Sequence, residues 1–331
     1  MNILVYDVAA SRSGALSVLK DYHRKVCEHP DGNHYFFAVS TPELAETGQV
    51  TVLRFPGIKK SWLHRLFFDY FKAPGLVKKY KIDKVFSLTN ITLRGVEVPQ
   101  ELYLHQPVPF VPQKFSFWQN KRLWVIKNII SRMIYRSVRA ADKVIVQTQW
   151  MKEACVRICQ VPAEKIVVEA PELDRRLLAK YRESPGARRT FFFPATPFSY
   201  KNHRLVIEAA KILAVRGVSD YKVIFTFRGD ESPLAIRLRK EAEGLPIEFH
   251  GPFPREEVYG LYAQSTLLYP SYIETFGMPL LEARLTGAPI LAARTPFAEE
   301  ILSGYERAGF FAADDAEGLA DRWMEYLGQG K

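Results

Sequence analysis

Two glutamates, Glu274 and Glu282, flank the predicted start of a helix in the segment YPSYIETFGMPLLEARLTGAPILA, residues 269–292. The apolar run before Glu274 predicts a strand that ends in a loop, and Pro279 suits the first turn of the helix that carries Glu282. A loop carboxylate would then lie just before a helix N-terminus. Such a site can bind hydroxyl groups through the carboxylate and phosphate through the helix N-terminus. The alternative is a solvated loop glutamate followed by a glutamate on a surface helix.

Backbone amides at this helix start would point away from the helix, toward the end of the preceding strand. Together with the positive end of the helix dipole they predict an anion site suited to phosphate, which the backbone can approach closely at a glycine. The amides concerned belong to Phe276, Gly277 and Met278.

Short apolar runs alternate with amphipathic stretches along the whole chain, which predicts an α/β fold of two Rossmann-like, doubly wound domains that face a cleft. Ligands bind such sheets at the carboxyl ends of the strands. The predicted strands are residues 2–7, 35–39, 50–55, 84–88, 101–105, 143–148 and 165–169, then 190–195, 222–227, 247–251 and 266–271. The predicted helices cover about 12–28, 232–243 and 254–263, with two more after Lys201 and from Met278.

A charged stretch without a core run, PELDRRLLAKYRESPGARR, separates the two series of strands and is typical of a linker. The sequence therefore predicts an N-terminal domain over 1–170, a linker over 171–189 and a C-terminal domain over 190–331.

Net charge is distributed unevenly along the 331 residues. The whole chain carries +10, but residues 1–170 hold 25 basic and 14 acidic side chains, whereas residues 171–331 hold 21 and 22. The N-terminal half is thus expected to meet an anionic partner, either nucleic acid or a membrane surface. No helix-turn-helix, zinc-finger or RNA-binding pattern accompanies the charge, so nucleic acid is not the predicted partner.

The three cysteines are too few and too oddly spaced for a disulfide framework, which favours a reducing cytoplasm. The chain shows neither a signal-peptide pattern nor an uncharged run of membrane-spanning length, so any membrane contact is expected to be peripheral.

The segment around Glu274 resembles the signature of family 4 glycosyltransferases of the GT-B fold, PSxxEgFGxPxxEAxxxGxPV. The resemblance implies that Glu274 contacts hydroxyls of the transferred sugar, that the amides near Gly277 hold sugar and phosphate oxygens, and that Glu282 binds the nucleotide ribose. It is strong across 190–292, moderate at 101–153 and weak before about residue 100. Ten positions match in register, namely Pro270, Ser271, Glu274, Phe276, Gly277, Pro279, Glu282, Ala283, Gly287 and Pro289.

By the same resemblance, Lys201 is the expected cation for the donor diphosphate. The family usually adds an arginine five residues earlier, where this chain has Thr196. Ser199 or Thr196 could serve as hydrogen-bond donors instead, or Arg228 could replace the arginine from the next strand end.

In the N-terminal half the resemblance points to two further residues. Gly14 lies where such enzymes keep a glycine loop near the donor phosphate, although the usual glycine pair is reduced to one and a simple turn is the alternative. His105, placed at a strand end, corresponds to a histidine that touches the sugar near its 6-position; a structural histidine is the alternative.

Two stretches, residues 59–81 and 114–139, combine cations with large apolar side chains and look amphipathic. The first is predicted to dock on anionic lipid through Trp62, Leu66, Phe67 and Tyr70 or Phe71. The second is predicted to pack its apolar face on the sheet, with its cations in solvent.

Taken together, the resemblance implies a retaining glycosyltransferase that moves a sugar from a UDP- or GDP-sugar to a glycan acceptor in surface-polysaccharide synthesis. The acceptor is expected to be lipid-linked, for example through undecaprenyl diphosphate. No metal or other cofactor is expected, and the predicted location is the inner face of the cell membrane. The alternatives are a GT-B sugar-nucleotide epimerase and an inactive membrane-associated subunit of a glycan complex.

Overall fold

The computed structural model describes residues 1–10, 13–118, 120–173 and 175–328. Contacts between Cα atoms divide the chain into two units, Met1–Ala170 and Pro171–Lys331. Each unit has its own parallel sheet and its own core.

The N-terminal unit is built on a seven-stranded sheet of described residues with the order β3-β2-β1-β4-β5-β6-β7, and every neighbouring pair is parallel. The order reverses between β1 and β4, so the loops after these two strands diverge to opposite faces of the sheet. The strands are β1 Asn2–Asp7, β2 His34–Val39, β3 Val50–Arg54, β4 Lys84–Ser87, β5 Gln100–Tyr103, β6 Lys143–Val146 and β7 Ile166–Val168.

The helices of this unit cover both faces of the sheet, because apolar side chains of the strands form separate buried clusters on either side. Two helical stretches each contain a π-helical segment, Phe68–Lys72 and Ile126–Ile130, which the sequence analysis did not predict. The helices are α1 Ser13–Glu28, α2 Trp62–Phe67, α3 Ala73–Lys79, α4 Lys121–Val125, α5 Ser131–Ala140 and α6 Gln149–Cys159.

The C-terminal unit has a six-stranded parallel sheet of described residues with the order β10-β9-β8-β11-β12-β13. Here the order reverses between β8 and β11. The strands are β8 Thr190–Phe193, β9 Lys222–Phe225, β10 Ile247–Phe249, β11 Thr266–Tyr269, β12 Ile290–Ala293 and β13 Ala308–Phe311. The helices are α7 Pro185–Arg189, α8 His203–Val215, α9 Pro233–Glu241, α10 Arg255–Tyr262, α11 Met278–Thr286, α12 Pro296–Ile301 and α13 Ala316–Leu327.

Central strands of this sheet are buried on both faces, which explains why their sequences are continuous apolar runs rather than alternating ones. Phe191, Phe192 and Phe193 of β8 are fully buried, and Trp323 of α13 packs on Phe191 with ring centroids 4.6 Å apart. The rigid middle of the sheet thus carries the loops that follow β8 and β11.

The segment 171–189 was predicted as a linker, and its residues Tyr181 and Arg182 pack on the rest of the C-terminal unit. The backbone amide of Tyr181 donates to the carbonyl of Thr286 at 2.7 Å, and that of Arg182 donates to the carbonyl of Ala263 at 2.8 Å. Across the described ranges, no helix combines the length and the apolar character needed to cross a membrane.

Candidate functional site

Lys201 and Glu274 form an ion pair, Nζ to Oε1, at the carboxyl edge of the C-terminal sheet. Lys201 follows β8 and Glu274 follows β11, and these strands are hydrogen-bonded neighbours at the point where the strand order reverses. Open α/β sheets bind ligands at this point. Two residues 73 positions apart in sequence, both singled out by the sequence analysis, therefore lie together where a ligand is expected.

The carboxylate of Glu274 is also held by Ser271, whose Oγ donates to Oε1 at 2.7 Å. Ser271 itself is fully buried, and the side chains of Lys201 and Glu274 are only 15% and 18% exposed. On the lysine side, the Tyr200 ring centroid lies 5.7 Å from Nζ. The pair is thus preorganised and shielded, while its charges keep some access to solvent.

Helix α11 begins directly after this pair, at Met278. Its N-cap residue, Gly277, has a left-handed φ of 92°, and no side-chain hydrogen bond from a described residue caps the helix. A Cβ at Gly277 would lie 3.2 Å from Leu280 Cδ1 and 3.4 Å from the Phe297 ring, so a larger residue would crowd Leu280 in addition to straining the left-handed backbone. An uncapped helix start next to Lys201 is an arrangement that binds an anion.

Glu282 lies one turn into α11, and its Oε2 accepts a hydrogen bond of 2.8 Å from the hydroxyl of Tyr262. Burial raises the pKa of Glu282, an effect that the Tyr262 bond and the charge of Arg255 partly oppose. This glutamate is not a surface helix residue, which was the alternative interpretation, but a held carboxylate with one oxygen fixed by a buried tyrosine.

Thr196 and Ser199 are exposed in the loop between β8 and α8. Arg228 follows β9, the neighbour of β8, and is exposed; its side chain lies against Gly251, where a Cβ would come within 3.0 Å of the Arg228 Cγ. The structure thus places Arg228 after β9 and Lys201 after the neighbouring strand β8, and the part of Arg228 in diphosphate binding stays a prediction.

His105 of the N-terminal unit lies two residues beyond the end of β5, not at the strand end that was predicted. Asn90, which follows β4, holds it: its Oδ1 accepts from the His105 amide at 2.7 Å and its Nδ2 lies 3.3 Å from the ring Nε2. An amide nitrogen can only donate, so Nε2 accepts and Nδ1 carries the ring proton. Nδ1 is buried without a partner among the described residues.

Burial lowers the pKa of His105 to about 4, so the ring is neutral at pH 7. A neutral ring with an enclosed, unused N–H is suited to donate to a ligand oxygen. Gly14 is the second residue of α1, directly after the loop that follows β1. Arg12, whose side chain could also contact an anion from this loop, lies outside the described residues.

Three residues with a role in these arrangements were not predicted: Asn90, Asn202 and Tyr262. Asn202 has a left-handed φ of 62°, and its Nδ2 donates to the carbonyl of Ala313 at 2.7 Å and approaches that of Pro270 at 3.4 Å. Asn90 and Asn202 could have been found as asparagines shortly after apolar strands. Tyr262 carries no such signal.

The part of the chain that the structure describes contains no group of three or more His, Cys, Asp or Glu side chains placed to hold a metal ion. A cavity of about 680 Å³ is lined by Gly229 and by residues of α9, of β10 and of the connection between them, and by none of the predicted site residues.

The sequence of the C-terminal unit matches a known family. Residues 174–331 fit the family model described as Glycosyl transferases group 1. The chain is 25% identical over 188 residues to the O-antigen chain mannosyltransferase B of Escherichia coli, an alignment that covers 52% of this chain and 49% of the relative. It is 38% identical over 99 residues to a GDP-mannose-dependent alpha-(1-6)-phosphatidylinositol dimannoside mannosyltransferase of Mycobacterium tuberculosis, covering 29% and 25% of the two chains. The chain thus spans about half the length, or less, of these curated relatives.

Solved structures with the same fold cover nearly the whole chain. WaaG, a glycosyltransferase involved in lipopolysaccharide biosynthesis, superposes with a TM-score of 0.69 at 15% identity over 99% of this chain and 91% of its own. HepE of Anabaena, solved with UDP-glucose, gives 0.67 at 18% identity over 98% and 89%. Residues 174–331 thus match glycosyl transferases group 1, in agreement with the resemblance to family 4 glycosyltransferases, and the chain shares the fold of solved glycosyltransferases.

Proposed function

We propose that the protein transfers a sugar from a nucleoside diphosphate sugar to a glycan acceptor, with retention of the anomeric configuration. The observation that carries the proposal is the Lys201–Glu274 pair in front of the uncapped N-terminus of α11. A diphosphate needs the lysine and the helix amides, and a sugar needs a carboxylate that accepts from its hydroxyls, so the two parts of the donor fit the two halves of one site.

In the proposed reaction the bond between the anomeric carbon and the diphosphate oxygen breaks while the acceptor hydroxyl attacks on the same face. The acceptor proton passes to the leaving diphosphate, so no separate protein base is assigned. Lys201 and the α11 amides stabilise the negative charge that develops on the diphosphate. These groups take the role that a divalent cation has in other transferases, and the proposed reaction is therefore metal-independent.

The ribose is assigned to Glu282, whose carboxylate the hydroxyl of Tyr262 holds in place. A carboxylate that accepts from two neighbouring hydroxyls is a suitable partner for a ribose. Both curated relatives are named as mannosyltransferases, one of them dependent on GDP-mannose, so GDP-mannose is the first donor to test.

The N-terminal unit is assigned to the acceptor, which we take to be a lipid-linked glycan in surface-polysaccharide synthesis. The support is the positive charge: residues 54–140 alone hold 17 basic and four acidic side chains. A surface of this charge attracts anionic lipid and a diphosphate-linked acceptor alike. The proposed location is accordingly the inner face of the cell membrane.

The donor assignment is tested by thermal unfolding with a panel of UDP- and GDP-sugars that includes GDP-mannose. A donor at 100 times its Kd stabilises the folded state by about 2.7 kcal/mol, which raises Tm by several degrees. We expect one base to be preferred and the shift to vanish in Lys201→Met. If no nucleotide sugar raises Tm, the protein is an inactive subunit; if a sugar epimer is released without acceptor, it is an epimerase.

The membrane assignment is tested separately, by replacing Lys59, Lys60, Lys78 and Lys79 with glutamine. We expect weaker binding to anionic liposomes and unchanged donor affinity. Equal liposome binding by this variant and the wild type would contradict the assignment.

A further inference from the structure

An exposed apolar edge lies on the N-terminal unit, in the helical stretch 62–79. Asp69, in its π-helical segment, is buried and accepts from the hydroxyl of Tyr6 and from Nε of Arg65, the latter at 2.7 Å. The bond from Tyr6 of β1 fixes the segment on the sheet, and the flanking Phe67 and Phe71 stay 54% and 72% exposed. Because the buried Asp69 holds this segment in place, its exposed phenylalanines form an ordered apolar surface.

A second apolar edge belongs to the helical stretch 121–140 of the same unit. Ile129 and Ile130, in its π-helical segment, are 52% and 36% exposed. Nζ of Lys127 and the hydroxyl of Tyr135 both donate to the carbonyl of Pro109, the first at 3.1 Å and the second at 2.6 Å, so this stretch is also tied down. The predicted packing of 114–139 on the sheet thus holds for one face, while three large apolar residues, Trp118, Ile129 and Ile130, remain exposed.

A cavity of about 320 Å³ lies between the two stretches. Tyr70 and Asp69 line it from the first, Met133 and Arg136 from the second, and Arg94 from the loop between β4 and β5. Its volume is at the lower end of the range for ligand pockets, about 300 to 1,000 Å³.

The charge of this cavity favours an anion. Arg94 and Arg136 form no ion pair with another described residue, and the guanidinium of Arg94 lies 4.9 Å from the centroid of the Tyr70 ring. Asp69 is the one carboxylate among the lining residues, and its ion pair with Arg65 neutralises it. Two free guanidinium groups beside a neutralised carboxylate match a phosphodiester.

We propose that this cavity is a headgroup site for an anionic phospholipid of the bilayer, with the phosphate between Arg94 and Arg136 and the flanking Phe67, Phe71, Ile129 and Ile130 inserted among the lipids. The inference rests on the membrane part of the proposed function and adds a specific lipid site to it. A cationic cavity with apolar side chains beside it suits a phospholipid, because the cations bind the headgroup phosphate and the apolar side chains contact the acyl chains. A free phosphate would use only the cations.

The experiment compares Arg94→Gln/Arg136→Gln with a matched control, Lys20→Gln/Arg157→Gln. The control removes the same charge from exposed positions on α1 and α6 of the same unit. Affinity is measured by co-sedimentation with vesicles of equal parts phosphatidylcholine and phosphatidylglycerol, and the Tm of each variant verifies folding. We expect the cavity variant to lose about 30-fold in affinity, because each cation near the surface contributes about 1 kcal/mol, and the control to lose at most about threefold.

Two further arms separate the sources of the phosphate. Glycerol phosphate in solution is expected not to displace the protein from vesicles; competition would overturn the lipid assignment. High salt should abolish the difference between cavity variant and wild type, whereas Phe71→Ser should weaken vesicle binding at low and high salt alike. Equal losses in cavity variant and control would show a diffuse charge effect and overturn the site.

Donor-induced Tm shifts, measured on the same variants, distinguish this inference from the proposed function. If the wild type binds vesicles through the cavity but no nucleotide sugar, the catalytic proposal fails while the lipid site stands. If it binds a donor but the cavity variant keeps full vesicle affinity, the lipid site alone fails.

Discussion

The ion pair between Lys201 and Glu274 predicts that substitutions of its two members change the affinity for a nucleoside diphosphate in opposite directions. In the structure each neutralises the other, yet the proposed binding of the donor diphosphate requires the lysine. Glu274 is therefore a competitor of the diphosphate for the same cation. Glu274→Gln keeps the size of the side chain and the hydrogen bond from Ser271 but removes the competing charge. The nucleoside diphosphate without its sugar should consequently bind this variant more tightly than the wild type.

The magnitude follows from the burial of the pair. Two unit charges 4 Å apart at an effective dielectric constant of about 20 attract by about 4 kcal/mol, whereas fully exposed pairs contribute at most about 1 kcal/mol. With side chains 15% and 18% exposed and a desolvation cost to subtract, we expect a net coupling of about 1.4 kcal/mol, or tenfold in Kd. Lys201→Met should weaken the same complex by at least about tenfold. Both variants should slow sugar transfer at least about 100-fold.

Isothermal titration calorimetry with UDP and GDP measures the affinities, and Glu317→Gln is the matched control. Glu317 pairs with Arg216 on the surface of the same unit, 66% exposed, and its loss should leave the affinity unchanged. The reasoning is refuted if Glu274→Gln weakens nucleoside diphosphate binding as much as Lys201→Met does, since Glu274 would then support the diphosphate rather than compete with it.

Three further predictions concern the surroundings of the site. Gly277→Ala should lower the free energy of unfolding by about 1 to 2 kcal/mol in urea titrations, because alanine strains the left-handed backbone and meets Leu280; unchanged stability would contradict the close packing. Tyr262→Phe removes the bond that favours the charged form of Glu282, so the pKa of that carboxyl should rise further and the pH dependence of donor affinity should move to higher pH; an unmoved profile would show that the bond is not felt by the donor. Burial lowers the pKa of His203 to about 3, so below pH 6.5 the unfolded chain binds a proton that the folded chain does not. The free energy of unfolding therefore decreases as the pH is lowered. His203→Phe should recover about 2 kcal/mol of stability at pH 5 relative to pH 8, as measured by denaturant unfolding; an identical pH slope would be inconsistent with a neutral buried ring.

Much of the fold could be predicted from sequence because its strands are buried on both faces. Continuous apolar runs such as NILVYD and TFFF identify parallel strands without an alternating pattern, and the observed β1 and β8 agree with them. Strand ends were less predictable: His105 continues the apolar pattern of ELYLH but lies past β5, because its amide bonds to the Asn90 side chain instead of a neighbouring strand.

The site was predictable where chemistry depends on residue type and local spacing. Glu274, Gly277 and α11 form one local unit, which a single segment of sequence describes. Contacts between distant segments were not legible in this way. The bond from Tyr262 to Glu282 and the π-helical segment around Asp69 depend on packing against other elements, and a helical periodicity of 3.6 residues does not reveal an inserted residue.

Asn202 has a consequence for attempts to change ligand specificity in chains of this fold by exchanging loops. Its amide joins the loop after β8 to the carbonyls of Pro270 and Ala313, which follow β11 and β13. Three loops that are far apart in sequence are therefore fastened by one side chain in a left-handed backbone conformation. A single loop transplanted from a relative would lose the hydrogen bonds of Asn202 that join the three loops. The three loops therefore form the smallest block that can be exchanged with its geometry intact.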